Sequence, residues 1–174
     1  MKPKFCLPII ETAKAEVFKI IEKNNDFDFF EVWIDHVKDS DRQFIKTLIN
    51  LLKDRLIIVL RRIDGKDIEN NFKKRIEVIR LLNNKPCLLD LDIKNTKELN
   101  FISQNDLHIS LINSFHDFKK TPSKKVIFQI ISAMKKNKPK IIKIATFCRS
   151  EEDAVRLMNI LQTLNKEGRK SRKR

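Results

Sequence analysis

The sequence predicts an α/β protein of six successive βα units, and three observations predict it. Short apolar runs alternate with amphipathic stretches, the alternation continues along nearly the whole chain, and no glycine-rich turn follows the first run. Successive βα units demand a mainly parallel sheet with helices outside it. A doubly wound open sheet and a (β/α) barrel both satisfy this count. The chain has only two glycines, Gly65 and Gly168, so a dinucleotide loop or P-loop is excluded and the barrel gains by elimination.

Each element has its own justification. The apolar runs Phe5–Ile10, Phe27–Ile34, Leu56–Leu60, Pro86–Ile93, Leu107–Asn113 and Lys140–Ala145 are the expected strands. Helix-like segments lie near 11–24, 41–53, 67–83, 95–103, 122–137 and 150–166. In the last, Ala154, Leu157, Met158, Leu161 and Leu164 recur at three and four, the spacing of one helix face. Ser150 caps it and Glu151, Glu152 and Asp153 give it an acidic first turn. Thr121-Pro122-Ser123 opens the helix before it, with proline at a tolerated early position. Residues 1–166 thus form the barrel-type domain, and 167–174 a basic tail.

A chain of 174 residues, 41% apolar and 34% charged, fits one domain able to bury a sizeable core. No apolar run approaches the roughly 18 residues that would suggest a membrane span. Phe5–Ile10 contains Pro8 and is ended by Glu11, a poor core for a signal peptide. Cys6, Cys87 and Cys148 are far apart and unpaired in spacing, which points to a reduced, cytoplasmic protein. The net charge of +14 raises nucleic acid as a partner, but +5 of it sits in the final nine residues and the rest is spread as lysine beside acids. That pattern is a solvated surface rather than a binding stripe.

Strand alternation sorts the polar residues by face. Glu31 shares a face with Trp33 and Asp35, Arg61 with Ile57 and Val59, and Asp90 with Leu88 and Asp92. Ser114 and His116 share one at the end of the fifth strand, and Lys143 lies between Ile141 and Ala145 on its own. Five consecutive strands therefore put Glu31, Arg61, Asp90, His116 and Lys143 on one face near their C-terminal ends, where barrels build their sites. A lysine inside Ile-Ile-Lys-Ile-Ala is the most telling, because desolvation lowers the pKa of such an amine and frees it to attack a carbonyl. Taken singly, a strand-end lysine ordinarily snorkels to water, a lone histidine is ordinarily structural, Arg61 could pair with any acidic neighbour and Asp90 could cap a loop. Their convergence on one face favours function. His36, in a loop, and His108, at a strand's beginning, have no such support and are read as structural.

Ser114-Phe115-His116-Asp117-Phe118, followed by Lys119-Lys120-Thr121-Pro122, resembles the histidine motif of type I 3-dehydroquinate dehydratases. Lys143-Ile144-Ala145-Thr146, with Ser150-Glu151-Glu152-Asp153 after it, resembles that family's Schiff-base lysine segment. Cys6-Leu7-Pro8-Ile9, Asp28-Phe29-Phe30-Glu31 and Asp90-Leu91-Asp92 follow the family's order too. The resemblance implies dehydration of 3-dehydroquinate to 3-dehydroshikimate in the shikimate pathway toward chorismate and the aromatic amino acids. Lys143 would form the imine, His116 would shuttle the proton, and Glu31, Arg61 and Asp90 would hold substrate. It implies no metal or organic cofactor, and extends to a homodimer. Two positions depart from the pattern: Trp33 stands where the family has arginine, and Gly65 where it has a glutamate supporting the histidine, with Asp64 beside it as the replacement. A full barrel takes roughly 200 residues or more, so the resemblance implies an incomplete (β/α)8 barrel without the family's carboxylate-binding arginine. A weakly active relic serving as a binding or assembly partner is the alternative.

Overall fold

A computed structural model describes residues 4–61 and 68–171; Asp64 and Gly65, the expected substitution in the histidine's support, lie outside them. The strands are β1 (Cys6–Ile9), β2 (Phe29–Trp33), β3 (Leu56–Leu60), β4 (Leu88–Asp92), β5 (Ser110–Asp117) and β6 (Ile141–Thr146). The helices are α1 (Lys14–Lys23), α2 (Arg42–Leu52), α3 (Ile68–Leu82), α4 (Thr96–Gln104), α5 (Lys124–Lys135) and α6 (Glu151–Ser171). All five strand pairings are parallel, in the order β1-β2-β3-β4-β5-β6. A doubly wound sheet reverses its strand order at a switch point; this sheet never reverses, so it is the wall of a barrel, six strands long.

Two apolar layers follow from the alternation of side chains. Phe30 and Val32 of β2, Leu56, Ile58 and Leu60 of β3 and Leu89 and Leu91 of β4 face the helices, and pack with Val17, Ile21, Phe44, Leu48, Ile79 and Leu82. On the other face Ile57, Val59, Leu88 and Ile112, flanked by Phe29 and Trp33, form a small apolar floor. Ile127 and Ile131 of α5 pack with Ile160 of α6 against Ile142 and Ile144 of β6. Both faces of β3 are buried, which is why it reads as a continuous apolar run; β4 is as buried but carries Asp90 and Asp92.

Helix starts obey local chemistry. The Asp41 side chain accepts the Phe44 N–H at 2.7 Å to open α2, and Ser123 accepts the Val126 N–H at 3.4 Å to open α5. Before α6, the Arg149 N–H donates to Asp153 Oδ2 at 3.0 Å. That helix continues through Ser171, beyond the expected end near 166. Strand β5 also differs from expectation, starting at Ser110 rather than Leu107 and running to Asp117 rather than Asn113. Its polar second half stays in the sheet because β4 pairs with it through Ser114 and β6 through Asp117. Leu107 instead donates its N–H to Ile102 O at 3.1 Å, tying it to the end of α4.

Candidate active site

Residues paired in register across parallel strands point to the same side of the sheet. Val59 pairs with Asp90, Asp92 with Ser114, and Ser114 with Lys143. Glu31 pairs with Ile57, and Ile57 with Leu88, which is two residues before Asp90. Glu31, Asp90, Asp92, Ser114, His116 and Lys143 therefore share the face that carries the apolar floor. They line, with Trp33, Arg61, Lys94 and Phe118, a cavity of about 490 Å³ at the C-terminal side of the strands. All five residues expected from the sequence are brought to this one cavity.

The amine is held between two carboxylates. Lys143 Nζ donates to Glu31 Oε2 and to Asp90 Oδ2, each at 3.0 Å. Asp90 is buried, 2% exposed in its side chain, and its other oxygen accepts the Ser114 hydroxyl at 2.5 Å. Glu31 Oε1 accepts the Trp33 indole N–H at 3.1 Å. Sequence reasoning expected desolvation to lower the pKa of Lys143. Burial does push that way, but the charges of Asp90 and Glu31 and their hydrogen bonds outweigh it, and the pKa is raised above that of an ordinary lysine. In the free site the amine is an ammonium, poised by its counter-ions rather than by neutrality.

Arg61 stands apart from this cluster. It is exposed, follows the end of β3, and holds its guanidinium 5.6 Å from the centre of the Trp33 ring. The carbonyl just before it, Leu60 O, accepts from Arg75 and from Asn95, each at 3.0 Å. Two donors from α3 and the β4–α4 loop thus fix the point where Arg61 leaves the sheet. Trp33 links the two halves of the site, donating to Glu31 and underlying Arg61.

His116 has its own partner. Its Nδ1 lies 3.0 Å from Asp92 Oδ2, and its backbone N–H donates to the same oxygen at 3.2 Å. Phe118 stacks on the imidazole with centroids 5.9 Å apart and planes 19° apart. Sequence reasoning passed over Asp92, Trp33 and Ser114, although the period of two had already put Asp92 on the Asp90 face, Trp33 on the Glu31 face and Ser114 beside His116. The other histidines sit elsewhere: His36 lies in a 3-10 turn, edge-on to Trp33 at 5.4 Å, and the His108 N–H donates to Asn83 Oδ1 at 2.8 Å.

The arrangement is one amine and one imidazole lining a common cavity, each with dedicated carboxylates. Such a pair can form an imine with a carbonyl compound and move a proton on the atom next to it. Comparison with known proteins places the chain in a family. Residues 5–171 match the sequence model of the type I 3-dehydroquinase family. Over 167 residues the chain is 28% identical to the 3-dehydroquinate dehydratase of Methanocaldococcus jannaschii, covering 92% of this chain and 73% of that one. With the enzyme of the same name from Pyrococcus abyssi it shares 25% identity over 158 residues, covering 88% and 71%. Among solved structures, the type I 3-dehydroquinate dehydratase of Clostridium difficile matches with a TM-score of 0.71 at 23% identity, over 91% of this chain and 68% of that one. The 3-dehydroquinate dehydratase of Geobacillus kaustophilus HTA426 gives 0.72 at 19% identity, over 92% and 68%. At these identities the structures speak for the fold, a barrel wall of the same winding. The match of the family model across nearly the whole length carries the assignment: this chain belongs to the type I 3-dehydroquinase family.

Proposed function

We propose that the chain dehydrates 3-dehydroquinate to 3-dehydroshikimate through an imine on Lys143. The observation that carries this reading is the Lys143 ammonium held at 3.0 Å by both Glu31 and Asp90, in the cavity that His116 also lines. The amine must lose a proton before it attacks, and the two bonded carboxylates are the acceptors at hand. Nζ then adds to the ketone carbon, and loss of water leaves a protonated imine. This cation draws electron density from the neighbouring carbon and makes its C–H acidic. His116 takes that proton, the enamine expels the β-hydroxyl, and the imidazolium returns the proton to the departing oxygen as water. Hydrolysis of the imine frees the product and restores Lys143.

The remaining groups bind. Glu31 and Arg61 are assigned to substrate hydroxyls, and Asp90 to orienting the amine. The same reading includes a place in the shikimate pathway, a cytoplasmic setting and a homodimer; the family membership supports these. The direct test is borohydride reduction of the chain mixed with 3-dehydroquinate, followed by peptide mapping. The expected result is a single reduced adduct on Lys143, absent from Lys143→Met. A folded chain with no adduct would overturn the proposal.

A further inference from the structure

We infer that Asp92 is the positioning residue of His116, fixing which imidazole nitrogen faces the substrate. This deepens the dehydratase reading and rests on it. Asp92 sits at the C-terminal end of β4, its side chain 10% exposed, in register with Ser114 of β5. Its Oδ1 accepts the Lys94 N–H at 2.9 Å, and its Oδ2 accepts the His116 N–H at 3.2 Å. Two backbone donors, one from the turn after β4 and one from β5, therefore pin the carboxylate before the ring is considered. With the carboxylate so placed, Oδ2 lies 3.0 Å from His116 Nδ1. An anionic oxygen cannot donate there, so it selects the tautomer with the proton on Nδ1 and leaves the Nε2 lone pair free.

The division of labour among the acids supports this. Glu31 is committed to Lys143 and Trp33, and Asp90 to Lys143 and Ser114. Among the described residues, Asp92 is the carboxylate bonded to the imidazole. Its carboxyl group is also kept ionised: burial works against the charge, but the bonds from His116 and Lys94 prevail and hold its pKa below the ordinary aspartate value. A permanent anion on Nδ1 both orients the ring and stabilises the imidazolium once Nε2 has taken a proton. Phe118, stacked nearly parallel to the ring, limits its rotation from the side.

Asp92→Asn tests the inference, because it keeps the shape and removes the charge. An amide in this place loses the tautomer that a general-base histidine needs, so kcat is expected to fall by about 10²- to 10⁴-fold, with KM within about threefold. The borohydride adduct on Lys143 persists, since imine formation uses other groups. In a His116→Ala background Asp92→Asn is expected to add nothing, because it acts through the imidazole. Long-range ¹H–¹⁵N spectra of the wild-type protein should show His116 as the Nδ1–H tautomer, and the variant should lose that preference. Equal damage in both backgrounds, or a wild-type His116 protonated on Nε2, would overturn the inference. Absence of an adduct in the wild type would instead sink the dehydratase reading, and the tautomer would still decide the role of Asp92.

Discussion

At the scale of single residues, the site keeps its amine protonated by surrounding it with acids. Burial alone would make Lys143 a better nucleophile, yet Asp90 and Glu31 raise its pKa, so the resting state favours the ammonium. Removing one anion must therefore move the balance toward the free amine. Asp90→Asn is expected to lower the pH at which Lys143 becomes reactive, read as the midpoint of its reductive methylation against pH by peptide mass. The amide oxygen can still accept the Ser114 hydroxyl, which in the wild type bonds Asp90 Oδ1, so the strand packing is preserved. An unchanged midpoint would mean that Glu31 alone sets the amine's charge. This behaviour was not legible in the sequence, because the sign of a lysine's shift depends on which acids come within about 4–6 Å. The alternation within β2 and β4 put Glu31 and Asp90 on plausible faces; that both reach one Nζ is a fact of sheet curvature.

At the scale of elements, strand positions were legible wherever burial dictates an apolar run, and illegible wherever a neighbour's backbone holds a polar one. Strand β3 is fully buried and was found residue for residue. Strand β5 was cut short because Ser114, His116 and Asp117 carry no apolar signal, yet its neighbours' ladders keep that half extended. Turns were hard for a related reason. In a chain with two glycines, left-handed positions fall to Asp39, Lys53, Asn84, Asp106 and Lys138, with φ between 47 and 57°, and a lysine there gives no local warning. The contact that ties elements to the site is the buried pair of Arg75 and Glu98, with Arg75 Nε 3.0 Å from Glu98 Oε1 and side chains 5% and 8% exposed. Arg75 also donates to Leu60 O, the carbonyl before Arg61. Glu98→Ala removes the ion-pair partner of a buried guanidinium, a loss that typically costs up to about 3–5 kcal/mol, with the charge of nearby Asp35 offsetting part of it. The urea midpoint is expected to fall accordingly, with the slope of the transition unchanged. A loss under about 1 kcal/mol would show that Arg75 finds water or another acceptor once Glu98 is gone.

At the scale of the whole molecule, six βα units wind in one direction, and the strand order leaves β1 and β6 at its two ends. The number of the units and their parallel pairing were readable from the repeat, because each helix must return the chain to the next parallel strand. Curvature was not, since every βα unit looks alike in sequence whether the sheet stays open or bends. Beside β6, helix α6 presents Val155, Met158 and Leu161 at 53%, 62% and 59% exposure, a row spaced by three on one side of the helix. Its other side is spent on α5 and β6, through Ile160 and its partly buried neighbours Leu157 and Leu164. An apolar side chain with that much exposure contributes little to the stability of an isolated chain, so Met158→Gln should change its unfolding free energy by no more than about 0.5 kcal/mol. Tm should then differ by no more than about 2 °C between the two proteins and should not depend on concentration in either. If the row is covered in solution, association stabilises the native state by mass action; the wild-type Tm would climb with protein concentration, and Met158→Gln would flatten that climb. Thermal melts of both proteins across a hundredfold range of concentration decide between a solvated α6 face and one buried against another molecule.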